Sequence, residues 1–116
     1  MSVSQTIFIL ASEVETQLIN LSESHQKMLS VLKELPKFVE LRNLSKWDEH
    51  YKKSIPDDED ETSINYKIID LLYELAATNL YGAFQKSETQ RIYKLILSEL
   101  KRQNIKVTKY SSLEKW

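Results

Sequence analysis

Ile7, Ala11, Val14, Leu18, Leu21, His25, Met28, Leu32 and Leu35 recur in alternating steps of four and three. That rhythm keeps one stripe on one side of a helix, and it predicts a single long helix from about Ser4 to Leu35. Ser2 and Gln5 have the spacing of a reciprocal cap at its start. The weakest stretch is Asn20 to Ser24, whose residues favour caps over helix interiors. Pro36 disfavours continuation and suits the first turn of a second helix, expected to reach about Lys53. Phe38, Leu41, Leu44, Trp47 and Tyr51 form the inner side of that helix. A third helix is predicted from Ile64 to about Tyr81, opened by Thr62 or Ser63 and closed at Gly82. Ser87 and Gln90 have the spacing to open a fourth, running to about Asn104. In the remaining segment Ile105, Val107 and Tyr110 alternate as an extended chain packing on one side does.

Composition supports this reading. One glycine and two prolines in 116 residues are too few for the turns of a sheet-rich domain. Short connections favour antiparallel neighbours. The expected fold is therefore all-α, an antiparallel four-helix bundle with a long heptad-patterned first helix. Residues 1–104 form the single bundle domain and residues 105–116 a C-terminal tail. The absence of cysteine excludes disulfides and thiolate zinc sites. The start lacks the basic flank of a secretory signal, and no apolar run is long enough to span a bilayer. The expectation is a cytoplasmic protein with no membrane partner.

Charge changes the picture at one place. The formal net charge is only −1, yet Asp57, Asp58, Glu59, Asp60 and Glu61 are consecutive acids, while residues 64–116 carry a net +4. Acids just ahead of a helix favour its positive end, and in the expected topology they face Lys101, Arg102, Lys106 and Lys109. The block also has the character of a surface that steers a basic protein. Asp58 and Asp60 alternate as oxygen ligands do, but the glycine and terminal glutamate of an EF-hand loop are missing. No metal or other cofactor is expected.

The third predicted helix begins just after the acids. At ~100° per residue its inner positions are Ile64, Ile68, Leu71, Leu72 and Leu75. Tyr66, Asp70, Tyr73, Ala77 and Tyr81 fall on the opposite side. Tyrosine suits interfaces because its ring buries area while its hydroxyl tolerates water. The expected partner-binding set is thus Asp57, Asp58, Glu59, Asp60 and Glu61 with Tyr66, Asp70, Tyr73 and Tyr81. In this chemistry the acids and helix resemble the small helical immunity proteins that neutralise nuclease toxins. The resemblance implies a non-enzymatic inhibitor with a basic toxin or effector as partner.

Two other functions were weighed. Arg91, Lys94, Lys101 and Arg102 form a basic stripe on the fourth predicted helix, an alternative face for nucleic acid. The pI near 6.1 and the neighbouring Glu88 and Glu99 count against it. The heptad stripe of the first helix could instead join two copies of the chain into a homodimer. His25 lies on that stripe without a second ligand one turn away, and reads as a core histidine. Arg42 and His50 are separated by a longer gap, RNLSKWDEH, than the Arg…His pair of the helical HEPN ribonucleases allows. No nucleophile–base pair or glycine-rich phosphate loop suggests an enzyme.

Overall fold

A computed structural model describes residues 3–18, 21–55, 64–81 and 86–107. These residues are all-helical, with α1 at Val3–Gln17, α2 at Glu23–Glu40, α3 at Leu44–Ser54, α4 at Ile64–Tyr81 and α5 at Lys86–Arg102. Helix α2 packs against α1, α3 and α4, while α4 packs against α1, α2 and α5. None of the helices is long and apolar enough to cross a membrane, among the described residues.

The predicted continuous first helix is divided. Its heptad stripe survives on both sides of the break, with Ile7, Ala11 and Val14 buried on α1 and His25, Met28, Leu32 and Leu35 buried on α2. Ser22 supplies the reason for the restart. Its backbone is extended and its hydroxyl accepts the His25 N–H at 3.2 Å, so it caps α2. A second contact, 2.8 Å between Ser22 Oγ and His25 Nδ1, holds the buried imidazole at the cap. Burial of both stripes is achieved by folding α1 back on α2 rather than by one long rod.

Pro36 lies inside α2 instead of opening the next helix. An interior proline costs about 3 kcal/mol. Continuing through it packs Phe38 against the core and reaches a well-satisfied stop. Arg42 takes a left-handed conformation (φ 56°), with Arg42 N–H donating to Val39 O and Asn43 N–H to Phe38 O. These are the two bonds of a Schellman end, and they satisfy carbonyls that a stop at Pro36 would leave elsewhere in need of partners. Helix α3 consequently starts at Leu44. Leu41, predicted to face inward, is 62% exposed because it falls in this turn.

Helices α4 and α5 occupy nearly the predicted spans, although Ser87 lies within α5 rather than ahead of it. The end of α5 repeats the Schellman pattern: Asn104 has φ 59°, Asn104 N–H donates to Lys101 O, and Ile105 N–H donates to Leu100 O. Beyond it Ile105 and Val107 enter the core while Lys106 stays exposed. The Gln17 side chain clamps this segment from α1, donating to Lys106 O and accepting Lys106 N–H at 2.7 Å.

Candidate functional site

Helix α4 decides where the predicted tyrosine surface stands. Ile68, Leu71, Leu72 and Leu75 are buried as expected, but so are Ile69 and Ala76 on its third side. Contacts with α1, α2 and α5 enclose most of its circumference. Among its described side chains only Lys67, Asp70 and Glu74 are exposed.

Tyr73, expected on the outward side, has contacts of its own within the fold. It is half-buried, and its ring lies parallel to Tyr51 of α3 with centroids 4.0 Å apart. Trp47 stands 5.5 Å from Tyr51 and 6.1 Å from Tyr73, completing a three-ring wall between α3 and α4. The Tyr73 hydroxyl donates to Asp48 Oδ1 at 2.9 Å, and Lys52 Nζ meets Asp48 Oδ2 at 2.9 Å. Trp47 Nε1 donates to Val31 O of α2 at 2.7 Å. A phenol committed to stacking and to an internal carboxylate has little left to offer a partner. The side chains of Tyr66 and Tyr81 lie outside the described residues, as do Asp57, Asp58, Glu59, Asp60 and Glu61.

Asp70 and Glu74 are where the anionic character continues into the described structure. They lie one turn apart on α4, both exposed, nine and thirteen positions after Glu61 in sequence. Both also interact within the fold: Asp70 has a partner there, and the Glu74 charge helps to raise the Arg91 pKa. Lys67, one turn before Asp70, reaches Glu99 of α5 at 3.4 Å. That contact brings the start of α4 and the end of α5 to the same side of the molecule.

The basic stripe of α5 is only partly available. Arg91 is bonded to Glu88 and Arg102 to Glu99, each within the same helix. The bond to Arg91 lowers the Glu88 pKa and raises that of Arg91. Hydrogen bonding by Arg102, then by Gln103 and Lys67, outweighs burial and holds Glu99 below the ordinary 4.5. Lys94 and Lys101 remain exposed beside these pairs. Half of the stripe's cations thus already carry a carboxylate, which reduces its pull on phosphates.

Sequence reasoning missed three side chains that the fold makes prominent. Asp48 and Glu99 are each only 8% exposed, and Phe8 is 43% exposed. Asp48 had a legible signal, since it adjoins Trp47 and precedes Lys52 by one helical turn. Phe8 had a subtler one: residues 3–12 contain no charge at all, so an outward face of α1 had nothing to keep it solvated. No family model, curated protein or solved structure was found to match the chain.

Proposed function

We propose that the protein is a cytoplasmic, non-enzymatic binding domain, built as an antiparallel helical bundle, that captures a basic protein partner. The immunity-type neutralisation of a nuclease-like toxin is the form of this activity that its chemistry fits best. The observation that carries the reading is the exposed Asp70–Glu74 pair on α4, the helix that follows the five-acid run Asp57–Glu61 in sequence. Clustered carboxylates raise the association rate with a cationic surface and penalise acidic competitors. Tyr73 takes a structural part in this reading, stiffening the helix that carries Asp70 and Glu74. The docking face consists of residues 57–61 with Asp70 and Glu74.

The test is capture of partners from the native cell by the unaltered chain and by a variant with all five acids of the run changed to Asn or Gln. The expected result is a basic protein retained by the first and lost by the second, with unchanged thermal stability. Retention of the same protein by both variants would sink the proposal. Gain of DNA or RNA binding by the neutral variant would move the function to Lys94 and Lys101 on α5.

A further inference from the structure

Most of the heptad stripe is buried inside the chain, at Ile7, Ala11, Val14, His25, Met28, Leu32 and Leu35. The flank of α1 that borders α2, about 100° round from Ile7, is different. Phe8 is 43% exposed there, and a groove of about 650 Å³ opens beside it, lined by Phe8 and Ile9 of α1 and by Lys33, Pro36, Lys37 and Glu40 of α2. The hydroxyls on this side are satisfied by the helix itself: Ser12 Oγ donates to Phe8 O and Thr16 Oγ1 to Ser12 O, both at 2.8 Å. Such bonds let a helix face be covered without stranding its donors. An exposed aromatic ring with apolar neighbours inside a charged rim is the composition of an interface.

We infer that this face joins two copies of the chain in a two-fold symmetric dimer. Self-complementarity singles out a second copy as the occupant. The patch carries an exposed ring in the wall of its own groove, so a two-fold axis can set the ring of each copy into the groove of the other. Its rim carries both signs of charge on one helix, with Lys37 and Glu40 exposed and three positions apart. Two α2 helices crossing antiparallel about an axis between these positions set Lys37 of each copy against Glu40 of the other. Lys33, tied to Glu15 at 2.9 Å, stays within its own copy. In this arrangement each Phe8 enters the other copy's groove against Ile9 and Pro36.

Sedimentation equilibrium across a wide concentration range tests the inference on the full chain. A reversible dimer in the micromolar range is expected, and Phe8→Glu should weaken it by at least about thirtyfold, as loss of a central aromatic anchor does. K37E alone and E40K alone should each weaken association, and the double variant should restore it. Circular dichroism of each variant separates lost association from lost folding. A monomer at every concentration overturns the inference, as does a dimer indifferent to Phe8→Glu, or single charge reversals that the double variant fails to rescue.

Discussion

The two flanks of α4 solve the same problem in different ways. On each, one carboxylate is almost withdrawn from water, Asp48 on α3 and Glu99 on α5, both 8% exposed. Asp48 is held by a phenol and a lysine beneath three stacked rings. Glu99 is held by Arg102, Lys67 and Gln103, whose long side chains reach in from solvent. The first flank ties a polar group to buried aromatic area. The second is an ionic cluster at the edge. Burial of a carboxylate therefore says little by itself about its weight in the fold; what its partners bury decides that.

The largest expected effect lies on the aromatic flank. Trp47 is wholly buried, touches both other rings and bonds the α2 backbone. Trp47→Ala should cost about 3–5 kcal/mol in chemical denaturation, near the whole stability of a small domain. A loss below 1 kcal/mol would break the comparison, because the ring wall could not then be the stronger side.

Next comes the carboxylate beneath that wall. Asp48→Ala should cost about 1–3 kcal/mol, since it leaves the Tyr73 hydroxyl without this acceptor and Lys52 without its partner. Tyr73→Phe should cost about 1 kcal/mol, and the double variant should cost less than the two losses added together. Strict additivity would mean that the phenol and carboxylate act separately, and would reopen the place of Tyr73 in a docking face.

How far the sequence could be read follows the same division. Helical periods located most of the core stripes, though not Leu10, Leu29 or the Ile69 and Ala76 side of α4, because burial of apolar area is local in pattern even when distant in space. Helices α4 and α5 were legible almost to their ends for that reason. The break at Ser22 was visible as a weak stretch, but the heptad rhythm outvoted it, since a stripe folded back on itself keeps the same spacing as a continuous one. Pro36 misled through its usual cost, which tertiary packing of Phe38 offset. Tyr73 misled because a helical projection shows only which side a ring takes. It carries no record that α3 would bring Tyr51 and Asp48 to meet it.

On the ionic flank the effect should be smaller and dependent on pH. The folded pKa of Glu99 is below 4.5, so its contribution is complete above that ordinary value and is lost as pH falls through the folded value. Arg102 and Lys67 are more than half exposed, and screening limits what their pairs contribute. Glu99→Gln should therefore lower stability at pH 7 by about 1 kcal/mol. The difference from the unaltered chain should shrink well below pH 4.5 and with added salt. A deficit unchanged by acid and salt would point to packing rather than charge, and the contrast between the flanks would weaken.

The smallest effect concerns how the helices stop on each flank. Helix α2 ends with Arg42 at φ 56°, just before α3, and α5 ends with Asn104 at φ 59°. The backbone bonds of the two ends are alike, but the residues are not. Left-handed geometry costs most side chains about 1–2 kcal/mol, whereas asparagine tolerates it. Glycine removes that strain and returns part of the gain through the freedom of its unfolded chain. Arg42→Gly should consequently stabilise the protein by about 0.5–1 kcal/mol, while Asn104→Gly should stay within about 0.5 kcal/mol of neutral. Urea midpoints at constant slope measure both. If Arg42→Gly destabilises, the arginine side chain contributes more to the α2–α3 corner than its backbone strain removes, and the aromatic flank would then have a charged support that Asn104 gives no counterpart for.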